Sequence, residues 1–486
     1  MTKQRMIGTF GKKSQICHFG EIFLNASNTV IEIYGNDLSE MADAETIYGV
    51  SHNRERLTLL GCTRQGLNHS IGAEGLGEKA EIFPHFVLSG WNFFDQDIDN
   101  VDEVSFTLSD IRAIFQDEEA FNTVMDARSH LEKIYGSNTE GDQQKIYDGA
   151  ILSYFNGCRV PFQFETSIGK ISLINVPTIS SRGPFSTAMQ ISISFVQPIK
   201  FSEAINRILG VRHFLSVIAG RPQGVAGLKV HTVTTEVGIE HARNWLKVYW
   251  SISPMESHYV QRIRLNDFDL PVHAVRDNHQ FASIFQKWFA RYEDLRVPRY
   301  RYIECMEYGA DYNVARLVTA ANMFDLLPDD MVPVARDLSK EILDAAEKAK
   351  KLFKELPDSP DRSSMLTSIG LLGKPSLPKK VSYRSKIVRS HLSHCFPDLE
   401  KLLKIAVKTR NHFVHGSPLP FEKVEDFLAL MTDALEFAFI VSDLIECGWQ
   451  ANIWSHKPKT ANHPFSRFLV SYREGIDGFN AATPSL

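Results

Sequence analysis

The stretch DLEKLLKIAVKTRNHFVHGSP, residues 398–418, decides how the C-terminal half of this chain is read. Leu399, Leu402, Leu403, Ala406 and Val407 recur at helical spacing and mark one apolar face. The stripe is expected to resume at Phe413 and Val414. Arg410 lies seven residues beyond Leu403, where the stripe would otherwise continue. Burying an unpaired guanidinium is expensive, so Arg410 needs a partner or sits at a subunit boundary. Gly416 and Pro418 supply the end, a natural left-handed closing residue and one that cannot continue a helix. On spacing alone two readings stay open. His415 serves the helix C-terminal dipole while Arg410 pairs with an acid elsewhere, or the two residues form a site.

Outward from this stretch, the same period of 3.6 runs back to about residue 283. FASIFQKWFARYEDL, YNVARLVTAANMFDLL, VARDLSKEILDAAEKAKKLFKEL and KVEDFLALMTDALEFAFIVSDLIECG all read as amphipathic helices. Pro328 and Pro357 punctuate them. A helical bundle is therefore expected over 283–450, with a Pro-containing basic connection at 369–386 and a polar tail over 451–486.

Residues 1–282 read differently. In MQISISFV (189–196), Met189, Ile191, Ile193 and Phe195 alternate with Gln190, Ser192 and Ser194, the period of a half-buried strand. TVIEIYG, RLTLLGC, IFPHFVLSG, VSFTL, KISLINV and KVHTVTT are similar, bounded by Gly, Asn, Pro or Ser. Many strands without helical alternation suggest antiparallel sheets in a sandwich or barrel arrangement. One helical insertion stands out, FSEAINRILGVRHFLSVIAG (201–220). The fold class expected is α+β and multidomain, a β-rich N-terminal region followed by an all-α bundle.

Composition narrows the classes. An apolar content of 43% with 23% charged residues excludes a fibre or a disordered chain. The formal charge of −5 leaves no global nucleic-acid footprint, so any basic surface must be local. Six cysteines without a CxxC pair argue against a disulfide framework and suit a reducing cytosol. The N-terminus lacks the apolar core of a signal peptide, and no apolar run reaches the ~18–20 residues of a membrane span. A cytoplasmic location with no membrane partner is expected.

Other candidates carry little. GAEGLGEK (72–79) lacks the GK[ST] end of a phosphate loop and reads as a flexible hairpin loop. Neither G-x-S-x-G nor H-E-x-x-H is present. His391, His394 and Cys395 lie close enough to ligate a metal, but without a second ligand pair they read as a polar helix start. Trp91, Phe93 and Phe94 of SGWNFFDQD read as an aromatic strand end packed in a β core.

Arg410-Asn411-His412-Phe413-Val414-His415 resembles the R-x4–6-H signature of HEPN domains. It lies late in an all-α bundle with one further long helix after it, as in that family. The blocks GTFGKKSQICHFGEIFLNASNTVIEIYG, IYGVSHNRERLTLLGC and FVLSGWNFFD are similar to the β-rich N-terminal region of ApeA-type anti-phage defence proteins, which couple it to a C-terminal HEPN domain. One departure stands out. Where the family often places an acid on the helix before the motif, AANMFDLL offers Asn322 and then Asp325.

The resemblance implies a metal-independent endoribonuclease with no cofactor, in which a ribose 2′-OH attacks the adjacent phosphate to give a 2′,3′-cyclic phosphate. His415 would move protons near neutral pH. Arg410 would hold the phosphate with a planar fork that keeps its charge. Asn411, His412 and Asp325 would support them, His412 by lining or structure. The local basic run between 374 and 408, with Lys401, Lys404, Lys408, Arg384 and Arg389, would draw RNA toward the cleft, tRNA being one candidate substrate. A homodimer or higher oligomer would join two motifs across a two-fold axis. The N-terminal region would sense a phage-derived trigger or restrain the nuclease. The rival reading is a non-catalytic HEPN module that dimerises or binds nucleic acid, with a ligand-sensing β domain.

Overall fold

A computed structural model describes residues 4–72, 75–115, 121–126, 129, 133, 151–154, 162–178, 186–233, 244–254, 265–334 and 338–484. The chain forms two compact units. One holds Met1–Leu215, Gln223–Glu256 and His273–Ala282; the other holds Ser216–Pro222, Ser257–Val272 and Ser283–Leu486.

In the first unit, β1 (Gln4–Lys12), β2 (Gln15–Leu24), β3 (Val30–Gly35), β4 (Thr46–Ser51), β5 (Arg56–Gly72) and β6 (Gly75–Gly90) run antiparallel in the order β6-β3-β2-β1-β4-β5. Because β5 also pairs with β6, these six strands close into a barrel. β6 serves two neighbours on its other edge. Glu78–Ile82 bonds to β3, and Phe86–Ser89 bonds to a strand outside the barrel, with Pro84 in the gap between them. From there the sheet continues through β14 (Trp245–Trp250), β13 (Val225–Thr232), β7 (Val101–Leu108), β12 (Ser186–Ile199), β11 (Gly169–Thr178) and β10 (Gln163–Thr166). A separate pair, β8 (Phe121–Val124) and β9 (Ile151–Tyr154), completes the described strands.

The barrel interior is packed with Ile22, Ile31, Ile33, Ile47, Leu57, Leu59 and Ile82 around Phe10. Two glycines make room for that ring. A Cβ on Gly49 would sit 2.5 Å from Phe10 Cδ1, and one on Gly20 would sit 2.9 Å from Cδ2. The alternation in MQISISFV holds, since Met189, Ile191, Ile193 and Phe195 are all buried on one face. The glycine-rich GAEGLGEK is mostly strand: Gly75–Lys79 belongs to β6 and Gly72 faces Gly75 across the hairpin, while 73 and 74 lie outside the described residues. Phe94 packs edge-on against Phe201 as a core residue, whereas Trp91 is 68% exposed. Among the described residues three α-helices with given bounds accompany the sheet: α1 (Ser39–Ala42), α2 (Ile111–Phe115) and α3 (Phe201–Ala219), the last being the expected insertion. Residues 234 and 235 of KVHTVTT lie outside the described residues.

The second unit is helical, with most of α4 (Asn278–Ala290) and then α5 (Tyr292–Glu307), α6 (Val314–Asp325), α7 (Lys340–Glu355), α8 (Pro360–Gly370), α9 (Leu377–Leu392), α10 (Leu399–His415), α11 (Leu428–Glu446), α12 (Ala451–His456) and α13 (Pro464–Ala482). Helix α11 is the axis of the bundle. Of its 19 residues 14 are buried, so it is apolar all round and not the amphipathic helix its sequence suggests. Its acids are what the other helices grip. Asp443 takes Arg299 of α5 in a two-pronged pair at 2.8 and 3.1 Å. Glu436 takes Arg316 of α6 at 2.7 and 3.0 Å. Glu446 takes Arg384 of α9 at 2.7 Å, beside a 2.9 Å bond from Arg384 Nε to Ser442.

Two expectations fail here. The basic connection at 369–386 is only a connection as far as Ser376. From Leu377 it is helix α9, with Pro378 in the first turn where a missing N–H costs nothing. The polar tail at 451–486 is largely ordered helix: Phe465, Phe468, Tyr472 and Phe479 of α13 are buried, with Phe468 4.7 Å from Phe437 of α11. The polar residues of that segment cover the outside of an aromatic stripe whose spacing is helical. No helix among the described residues is long and apolar enough to cross a membrane.

The ion pair on Asp443 gives the first prediction. Both side chains are buried, at 3% and 4% exposure. Asp443→Ala strands a guanidinium in the bundle interior and is expected to cost about 3–5 kcal/mol. Urea unfolding followed by helical circular dichroism measures this; a loss below about 1 kcal/mol would show that the pair does not organise the bundle.

Candidate active site

Helix α10 begins with Leu399, Leu402, Leu403, Ala406 and Val407 fully buried, as the apolar stripe requires. The stripe stops at Thr409, which is buried and bonds back to Ile405 O at 2.9 Å. Phe413 and Val414 are 38% and 44% exposed, so the expected resumption does not occur. The last turn of α10 extends past the body of the bundle. Gly416 closes it in the left-handed conformation at φ 66°, its N–H bonding His412 O at 2.9 Å.

Arg410 is the last largely buried side chain before this projecting turn, at 12% exposure. It is held by amides. Nη2 donates to Asn322 Oδ1 at 2.9 Å, and Nη1 donates to Asn411 Oδ1 at 3.1 Å. Nη1 also lies 3.0 Å from His415 Nε2. A guanidinium has only hydrogens to give, so Nε2 is the acceptor in this contact and the imidazole proton sits on Nδ1. The nearest carboxylate, Asp325 Oδ2, is 3.7 Å from Nη2 and 41% exposed. Its attraction is correspondingly screened. The Nε of Arg410 is buried with no hydrogen-bond partner.

Asn322 and Asp325 stand on α6 one turn apart, so both reach the same side of the Arg410 head group. Lys380 of α9 braces this end of α6, with Nζ 2.8 Å from Asp325 O. Asn322 is the residue that sequence reasoning passed over: it was visible in AANMFDLL, but only as the place where an acid was missing.

The supporting residues separate clearly. Asn411 is in the site. His412 points away: its Nδ1 lies 2.8 Å from Ser417 O, and its ring stacks near Phe421 with centroids 6.2 Å apart. Of the basic residues, Arg384 is fully buried and engaged by Ser442 and Glu446, so it offers nothing to an RNA. A basic residue in an amphipathic sequence looks solvated until its partners across the bundle are known. Arg389 pairs with Glu400 at 2.7 Å, and Lys401 donates to Asn480 at 3.0 Å. Lys404 is 64% exposed, 3.9 Å from Glu400, and Lys408 is exposed one turn further along α10.

His391, His394 and Cys395 lie at the end of α9 and just beyond it, where a helix start was expected. His394 stacks on His456 with centroids 5.2 Å apart, and Cys395 is buried. Among the described residues no group of three His, Cys, Asp or Glu side chains is placed to hold a metal ion.

Comparison with known proteins follows the same division. The model of ApeA N-terminal domain 1 matches residues 6–288, and the model of the ApeA-like HEPN domain matches residues 318–453. The chain belongs to the ApeA family. It is a HEPN-containing, defence-type protein. Asn322, Asp325, Arg410 and His415 all fall inside the HEPN match, whereas α5 and α13 fall outside it. No curated protein and no solved structure matches the chain.

His412 tests the division of labour in the last turn. His412→Ala removes the bond to Ser417 and is expected to speed amide exchange over residues 413–420, leaving 399–407 unchanged. Unchanged exchange at 413–420 would place the restraint on this loop elsewhere.

Proposed function

We propose that the HEPN domain is a metal-independent endoribonuclease acting through Arg410 and His415. The observation that carries this reading is the 3.0 Å approach of Arg410 Nη1 to His415 Nε2, at the accessible end of a helix whose earlier turns are core. The ribose 2′-oxygen attacks the adjacent phosphorus as its proton passes to a base. The bond to the 5′-oxygen breaks as that oxygen is protonated. The products are a 2′,3′-cyclic phosphate and a 5′-hydroxyl. Nothing is hydrolysed in this step, and only RNA has the attacking group. His415 Nε2 is the acceptor that a base requires. Arg410 stands beside it to hold the phosphate oxygens as charge builds on them.

The step needs a proton acceptor and a proton donor at once. One chain brings a single histidine to the site, because His412 is turned to Ser417. A second copy meeting the first across a two-fold axis would supply the other. The exposed Phe413 and Val414 next to the motif suit such a contact. Lys404 and Lys408 on the outer face of α10 are the basic residues suited to guide an RNA backbone, tRNA included. The β-rich unit then holds the nuclease in check until a phage-derived trigger releases it, halting growth of the infected cell.

Arg410→Ala and His415→Ala are each expected to slow RNA cleavage at least about a hundredfold, with wild-type products ending in 2′,3′-cyclic phosphate and cleavage persisting in excess EDTA. Two variants that still cut RNA, products ending in 3′-hydroxyl, or loss of activity on chelation would sink the assignment. Light scattering that finds only monomers at the concentration of active enzyme would remove the second histidine.

A further inference from the structure

Helices α7 and α8 form a hairpin without a core of its own. No side chain of either helix is buried, yet both helices are capped. Ser339 Oγ accepts the N–H of Ile342 at 3.4 Å, and Ser359 Oγ accepts that of Arg362 at 3.1 Å. Arg362 then ties the pair together. Its Nε donates to Phe353 O at 2.8 Å and its Nη2 to Lys354 O at 3.0 Å, so α8 caps the end of α7. Helices of 16 and 11 residues are marginal unless an apolar face is packed away. A hairpin fixed this firmly, with nothing buried, lacks a covering surface.

The face to be covered lies beside the seam between the helices. Ala346, Ala349 and Phe353 are half-buried at helical spacing on α7. Leu352 and Leu356 stand at the edge of that stripe, 65% and 51% exposed. Met365 on α8 and Leu372 just beyond it, seven residues apart, are exposed as well. Apolar side chains grouped in this way mark an interaction surface.

The charges of α7 indicate what covers it. Acids fill its first half and lysines its second. Laid antiparallel on itself, α7 sets Glu341 level with Lys354, Asp344 with Lys351 and Glu347 with Lys348. The end residues, Lys340 and Glu355, match in the same way, and Leu343 comes level with Leu352. Lys350 alone among the charges meets a neutral residue, Ala345. A two-fold interface requires a patch that complements itself, and this helix complements its own reverse. Its five lysines against four acids leave little basic excess for an anionic membrane.

We propose that the α7–α8 hairpin packs on the hairpin of a second copy of this chain, as a four-helix bundle whose two α7 helices run antiparallel. Leu352, Leu356 and Met365 supply the apolar burial. Exposed charge pairs add little affinity, so the charges select the orientation and the partner. This contact is separate from Phe413 and Val414, and it stands whether or not the Arg410 site cuts RNA.

Sedimentation velocity of the full-length chain carrying Phe413→Ser, which disrupts the apolar contact at the motif, tests the hairpin by itself. This chain is expected to dimerise at about 100 μM. Adding Leu352→Glu and Leu356→Glu is expected to raise the dimer Kd at least about tenfold. In the same background, Glu341→Lys, Asp344→Lys and Glu347→Lys together make α7 basic. Lys348→Glu, Lys351→Glu and Lys354→Glu together make it acidic. Each charge variant is expected to be monomeric alone, and the two to dimerise when mixed. All of these α7 positions are exposed, and thermal melting checks that each chain is folded. A monomeric Phe413→Ser chain would overturn the proposal and give the face to a different partner. An unchanged Kd in the leucine variant, or no gain on mixing the basic and acidic chains, would overturn it equally. RNA cleavage is not the readout, so each result leaves the Arg410 site to its own test.

Discussion

The helical unit depends on the carboxylates of α11 and the buried arginines they meet. A helix apolar all round has no preferred rotation in a bundle, because any face is as good as another for hydrophobic contact. Asp443, Glu436 and Glu446 remove that freedom. Asp443 and Glu436 must each find a cation or carry an uncompensated charge in the interior, Glu446 meets the buried Arg384 from a more exposed position, and each acid finds an arginine from a different helix. Three helices are thereby pinned to α11 at defined heights. Such pairs add little net stability compared with apolar packing, but the penalty for missing them is large, so they fix register. Arg299 adds a second restraint, with its guanidinium 3.6 Å over the Trp288 ring and Nη1 bonded to Trp288 O at 2.8 Å.

The pinning reaches the site through α6. Arg316 near the start of this helix is locked to Glu436, and Asn322 near its end is the closest acceptor for Arg410. Six residues separate them, about 9 Å along the axis. Arg316 therefore anchors one end of this helix and Asn322 meets the Arg410 head group near the other. Little slack separates the two, because Arg316 cannot move without unpairing Glu436.

What the sequence made legible was whatever local periodicity determines. Period-2 alternation located strands such as 189–196, and period 3.6 located the stripe of α10, because both patterns need only the residue and its near neighbours in the chain. Barrel closure was not legible, since it rests on β5 meeting β6 along a hairpin while also pairing with β4. Arg384 and Arg389, five residues apart on one helix, look alike in sequence, yet only Arg384 faces Ser442 and Glu446 across the bundle. Phe413 and Val414 continue the apolar count of α10, but the chain has left the bundle by then, and nothing in the count records where the neighbouring helices stop. Asn322 was hidden for another reason. An acid would be expected opposite a buried arginine, and here an amide does the holding.

That substitution bears on what Arg410 can do. Arg299, Arg316 and Arg384 are gripped by carboxylates that cancel their charge, and all three are structural. Arg410 is gripped by the amide oxygens of Asn322 and Asn411, which accept its hydrogen bonds without adding a negative charge. Asp325 meets it only at 3.7 Å and is 41% exposed, so this ion pair is solvent-screened and no direct hydrogen bond joins the two. An arginine that only had to be buried would be better served by an acid at 322. One that must be fixed in place while still attracting a phosphate is better served by asparagine. The same logic extends to His415. Its Nε2 lies 3.0 Å from Arg410 Nη1, so the guanidinium is held on three sides by groups that carry no negative charge. The polar helix end at 410–415 is thus built unlike the polar contacts within the bundle: positioned by neutral groups, with its charge still to be met.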